Sequence, residues 1–145
     1  MPRFSESIHI ACTPEAAFDL TQDYDQRLAW DTFLIEARLV GGATEAGAGI
    51  RSWCVAHNGM GMETEYVSFR RPKVAAVKMT RGPWLFSAFT GSWNFRAESG
   101  GTKVTFLYAY RLRFPASIGG FYVRRRLNRE VRQRLADLKK RLERL

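Results

Sequence analysis

Cysteine and histidine are scarce in this 145-residue chain, with two of each. Cys12 and Cys54 stand far apart, form no CxxC pair and have only His9 and His57 as further soft ligands, so two reduced, buried thiols are expected rather than zinc. Long apolar runs are missing as well, and none approaches the ~20 residues that a membrane span needs. The first twenty residues hold Glu6, Glu15 and Asp19 and no continuous apolar stretch, so they do not read as a secretory signal. No lipidation motif is visible, and the expected compartment is cytoplasmic. There is no Ser/His/Asp triad, phosphate-binding loop or dinucleotide fingerprint; Gly42, Gly47 and Gly49 lack both the spacing and the strand-to-helix context. No metal or cofactor is expected.

What remains is ordinary globular material, 46% hydrophobic and 13% aromatic. A chain of this length buries roughly 68 to 70% of its unfolded surface, enough for one core, and no linker or repeat divides residues 1–145. The charge is lopsided. Residues 1–110 hold 11 basic and 11 acidic groups, whereas 111–145 hold 12 basic and 3 acidic, so all nine excess positive charges lie in the tail.

That tail places Leu127, Val131, Leu135, Leu138, Leu142 and Leu145 at steps of four and three, one apolar stripe of a helix with most arginines on the other side. Pro115 and Ser117 suit its start, and a helix from there would be about 45 Å long. The basic face reads either as a solvated outer surface or as a docking surface for an anionic membrane or RNA through Arg124, Arg125 and Arg126. A third reading is a helix-to-helix seam in a homodimer, with polar Asn128, Arg129 and Glu130 beside a narrow stripe.

Ahead of the tail, Phe4 to Cys12 alternates as a strand. Thr13, Pro14 and Glu15 then cap, start and charge a short helix through Leu20, and a second helical segment spans Tyr24 to Trp30. Strands follow over 33–40, 50–57, 60–69, 74–80, 84–97 and 103–113. Asn58-Gly59 marks a hairpin in which both turn positions need positive φ. Strand after strand with short connections means an antiparallel sheet with segregated helices, an α+β fold. Such a sheet curls, and wrapping it around the terminal helix buries both apolar faces.

The order of elements, with Thr13-Pro14-Glu15-Ala16-Ala17-Phe18-Asp19-Leu20, Arg27-Leu28-Ala29-Trp30, Gly91-Ser92-Trp93-Asn94-Phe95 and Gly101-Thr102-Lys103-Val104-Thr105-Phe106, resembles the START/Bet v 1-like (SRPBCC) superfamily, in particular its polyketide cyclase/dehydrase-like branch. The resemblance covers nearly the whole chain. It implies a helix-grip fold: a curved seven-stranded antiparallel sheet around a long C-terminal helix, two short helices between strands 1 and 2, and a hydrophobic ligand cavity. The arginine-rich end of the helix departs from that pattern.

Strand parity nominates the cavity wall. Val104, Phe106, Tyr108, Tyr110 and Leu112 share one face, as do Phe89, Trp93 and Phe95. Met62, Thr64 and Tyr66 oppose Glu63 and Glu65, with Val67 and Phe69 out of phase as at a bulge. Trp30 and Trp84 read equally as a lid or as core. With Phe121 from the terminal helix, the expected ligand-binding set is Trp30, Tyr66, Trp84, Phe89, Trp93, Phe106, Tyr108, Tyr110 and Phe121. Arg51 and Trp53 share one face and Ser52, Cys54 and Ala56 the other; parity does not decide which is inside. An inward Arg51 would anchor a carboxylate or enolate.

The catalytic candidates are Arg51, His57, Tyr66 and Tyr108, while Asp31 reads as a cap before an acid or base. These residues point first to a protein that binds a lipid, quinone or polyketide-like molecule between sheet and helix. The alternatives are a cyclase or dehydratase in the same cavity and a membrane- or RNA-docking protein. The sequence leaves turnover open.

Overall fold

The protein is described by a computed structural model covering residues 3–144. Its chain runs β1 (Arg3–Ile10), α1 (Pro14–Gln22), α2 (Arg27–Trp30), β2 (Leu34–Leu39), β3 (Arg51–Ala56), β4 (Gly61–Arg70), β5 (Val74–Arg81), β6 (Phe86–Glu98), β7 (Gly101–Leu112), a 3-10 turn (Ala116–Gly119) and α3 (Gly120–Glu143). The seven strands form one curled antiparallel sheet in the order β1-β7-β6-β5-β4-β3-β2. This is the helix-grip architecture.

Local chemistry explains the elements. Thr13 Oγ1 accepts the Ala16 N–H at 3.1 Å and Pro14 occupies the first turn, which starts α1 as expected. Along β7 every second residue from Thr102 to Tyr110 is buried, the two-residue period of a strand with one face on the core. The bulge in β4 shows as a register shift between Tyr66 and Ser68, and it leaves Val67 exposed while Phe69 packs edge-on against Phe18 and Tyr66.

Three expectations need correction. The hairpin at Asn58-Gly59 exists, but only Gly59 takes positive φ (88°). Asn58 instead accepts the Met60 N–H through Oδ1 at 2.9 Å, a side-chain turn that spares it the left-handed region. The second helical segment is shorter than expected and begins only at Arg27. Finally, the terminal helix opens with a 3-10 turn and becomes α-helical at Gly120, so its α-helical part is about 36 Å long.

Helix α3 lies across β1 and β7, with Val131, Leu135, Leu138 and Leu142 buried. Polar contacts fix its position: Asp137 accepts from the Thr32 backbone N–H (3.1 Å) and hydroxyl (2.5 Å), and Lys139 Nζ donates to the His9 carbonyl (2.9 Å). Its first turns project beyond this packed half and leave Phe121 and Tyr122 exposed. Among the described residues no helix is long and apolar enough to cross a membrane.

Candidate functional site

Between the concave face of the sheet and α3 lies a cavity of about 340 Å³, within the ~300–1,000 Å³ span of small-molecule sites. Each strand from β3 to β7 contributes inward residues, alternate except at a register shift after Phe86: Ser52, Cys54 and Ala56; Met62, Thr64 and Tyr66; Ala75 and Val77; Phe86, Phe89, Gly91 and Trp93; Phe106 and Tyr108. Helix α3 closes it with Tyr122, Val123, Leu127 and Arg134, and the turn before α2 adds Tyr24. At Gly91 a Cβ would meet the Tyr108 ring at 3.3 Å, so the ring would have to shift by a few tenths of an ångström.

One end of this apolar chamber is polar. Arg134 donates through Nε (3.1 Å) and NH2 (2.9 Å) to Asp31 Oδ2 and through NH1 to the Tyr108 hydroxyl (3.0 Å), while its plane lies near the rings of Phe33, Phe106 and Trp93. Burial works against its charge, but Asp31 and Tyr108 outweigh burial and raise its pKa. Arg27 NH1 stands 3.8 Å from the same Asp31 oxygen, and its guanidinium lies over Tyr24 and Trp30. Tyr66 donates to Gln22 Oε1 and meets the Tyr24 hydroxyl at 2.9 Å. Burial pushes the Tyr66 and Tyr108 hydroxyls and the Cys54 thiol up in pKa. All three are protonated at neutral pH; the Tyr66 hydroxyl donates to Gln22, and the Tyr108 oxygen accepts from Arg134 and keeps its own O–H.

Of the residues nominated from sequence, Tyr66, Phe89, Trp93, Phe106 and Tyr108 line the cavity. Trp30 is buried behind it, edge-on to Trp93 at 6.2 Å, and Tyr110 is buried against Phe4 and Phe86. Trp84 (65% exposed) and Phe121 (81% exposed) face solvent instead of the chamber. Arg51 is also outside, paired with Glu63 at 3.6 Å on the convex face, because β3 turns Ser52, Cys54 and Ala56 inward. His57 sits exposed at the hairpin, edge-on to Phe33, in a second groove with Arg125, Arg126 and Arg129.

Asp31 is both cap and ion-pair partner. It ends α2, its Oδ1 accepts the Phe33 N–H at 3.2 Å, and its Oδ2 holds Arg134. Cys12 and Cys54 are free and only partly buried, and among the described residues no three His, Cys, Asp or Glu side chains group as a metal site.

The family model for polyketide cyclase / dehydrase and lipid transport matches residues 1–143. The chain belongs to this family. No curated protein matches its sequence. Among solved structures, this polyketide cyclase/dehydrase family member is similar to a START superfamily protein from Mycobacterium smegmatis (10% identity, TM-score 0.82, covering 98% of this chain and 97% of that one). It is similar also to an aromatase/cyclase from Streptomyces sp. R1128 (12% identity, TM-score 0.81, 99% and 94%) and to a protein from Thermus thermophilus (22% identity, TM-score 0.79, 97% of each). These likenesses report the fold.

Within the family member, the polar end rests on two residues that the sequence reading passed over, Arg27 and Arg134. Arg134 carried a signal: it lies seven residues after Leu127, three after Val131 and four before Leu138, on the buried stripe. A cation at such a position has to find a partner inside. Arg27 precedes Asp31 by one helical turn, which is the spacing of an ion pair.

Proposed function

We propose that this polyketide cyclase/dehydrase family member binds an apolar small molecule, of lipid, quinone or polyketide type, in the chamber between sheet and α3. The observation that carries this reading is a cavity of about 340 Å³ walled by aromatic and aliphatic side chains with hydrogen-bonding groups at one end. Burial of apolar ligand surface at roughly 25 cal/mol per Å² supplies affinity, and the polar end sets orientation. The test is solvent extraction of purified protein with mass spectrometry of the extract, together with titration by an apolar fluorescent probe. A co-purifying molecule or saturable uptake is expected; an interior that takes up no probe overturns the reading. Cyclisation would use the same wall, with the Tyr108 O–H donating to a carbonyl and Arg134, through its bond to the Tyr108 oxygen, favouring the enolate that forms.

A second surface supports docking on an anionic membrane. Leu85 accepts the Arg113 N–H at 2.8 Å, so Trp84 and Phe114 flank the last rung of the β6–β7 ladder, next to exposed Ile118, Phe121 and Tyr122. Residues 111–129 add Arg111, Arg113, Arg124, Arg125, Arg126 and Arg129 with no carboxylate. Apolar tips among one-signed charge suit headgroups over hydrocarbon, and Pro83, Leu85, Tyr122 and Val123 also line the cavity at this end. Binding to vesicles rich in anionic lipid, weakened in Trp84→Ser and Phe121→Ser, is expected. Binding to RNA but not to vesicles overturns this second reading.

A further inference from the structure

The charges around the chamber do not balance. Three guanidiniums line it, those of Arg27, Arg126 and Arg134, and two carboxylates, Asp31 and Glu130, are within reach of them. Glu130 takes Arg126 at 3.3 Å, and Asp31 Oδ2 takes two donors from Arg134. Arg27 is left over. Its side chain is 5% exposed, its NH1 is 3.8 Å from Asp31 and beyond hydrogen-bond range, its NH2 is spent on the Thr21 carbonyl, and its Nε has no partner.

A sealed cation with a fraction of a counter-charge is costly, and a chamber that keeps one has a use for it. Resting on the reading of the cavity as a ligand site, we propose that the ligand is an amphiphile whose carboxylate head is held by Arg27, with its apolar tail along the β4–β6 wall. The surplus is a single positive charge, which a carboxylate cancels and a phosphate monoester, at about −1.5 to −2, exceeds. One of its five N–H donors goes to the Thr21 carbonyl, so Nε and the unspent terminal N–H groups are what it has left for a carboxylate, and Tyr24 and Trp30 pack against the guanidinium at 5.1 and 5.5 Å. Past this head, Met62, Val77, Leu85, Phe86 and Phe89 offer only hydrocarbon and aromatic surface to a chain.

The test is displacement of a bound apolar probe by a long-chain carboxylic acid, its methyl ester and the alkyl phosphate of equal length. The acid is expected to bind at least about tenfold more tightly than the ester, the scale of a hydrogen bond to a charged group. In Arg27→Met that preference falls towards unity with ester affinity retained, whereas Arg51→Ala leaves it intact. Equal affinity for acid and ester overturns the proposal while the cavity reading stands; failure of every compound and of the probe overturns both. An alkyl phosphate that outcompetes the acid, or a preference unchanged in folded Arg27→Met, overturns the assignment. Should Arg27→Met not fold, the acid-to-ester ratio of the unaltered protein decides alone.

Discussion

Arg134 on α3 holds a single oxygen of Asp31, 103 residues earlier, through two nitrogens at 2.9 and 3.1 Å, and both side chains are closed to solvent. The contact ties the terminal helix to the end of α2 at the polar end of the chamber. Removing Asp31 strands the buried Arg134 and takes from Arg27 a carboxylate 3.8 Å away. Asp31→Ala is therefore expected to lower stability by about 3–5 kcal/mol in denaturant unfolding, and the double variant Asp31→Leu with Arg134→Met to recover much of that loss. Equal losses in the two variants count against the pair as the cause.

Alkaline pH acts on the hydroxyls at the polar end. Burial raises the pKa of Tyr66 and Tyr108 above the ordinary 10.0, so the folded state binds those protons more tightly than the unfolded chain does. Their contribution is complete below pH 10 and is lost as pH rises through the higher folded values. Stability is expected to fall above that pH, and Tyr66→Phe and Tyr108→Phe each to flatten the fall and to remove a late-rising part of the phenolate absorbance.

Filling the chamber separates binding from folding. Ala75 lines it on β5 and is 1% exposed. Ala75→Phe builds a ring onto that wall at a cost of about 1–3 kcal/mol. Circular dichroism is expected to show a folded protein that no longer takes up the apolar probe; undiminished uptake argues that ligand lies elsewhere.

Arg51 and His57 provide the complementary control. Both lie outside the chamber, Arg51 against Glu63 and His57 against Phe33. Arg51→Ala and His57→Ala are expected to leave probe affinity unchanged within error. A severalfold loss in Arg51→Ala refutes the inward-outward assignment of β3, and one in His57→Ala refutes the placement of the hairpin outside the chamber.

Much of this was legible in the residues. Alternation along β6 and β7 placed Phe89, Trp93, Phe106 and Tyr108 on the inner face, because a strand buried on one side has a period of two. On β3 both faces carry mixed residues, and the side was decided only by Glu63 across the ladder, which draws Arg51 outward. Trp84 and Phe121 misled because a large aromatic is a prior for burial. Helix α3 overhangs the sheet at its start, and that overhang is a tertiary fact. Arg134 was hidden by its own chemistry, since counting it with the basic face ignored that its position belongs to the leucine stripe.

The first strand of this chain is completed by the last. All eight residues of β1 pair with β7, from Arg3 opposite Ala109 to Ile10 opposite Thr102. While the chain is being synthesised, residues 3–10 emerge about a hundred positions before their partners, and the aromatic wall of β6 stays uncovered until α3 follows. Native closure therefore waits on the ribosome, leaving an interval in which a nascent strand edge is open to the wrong neighbour.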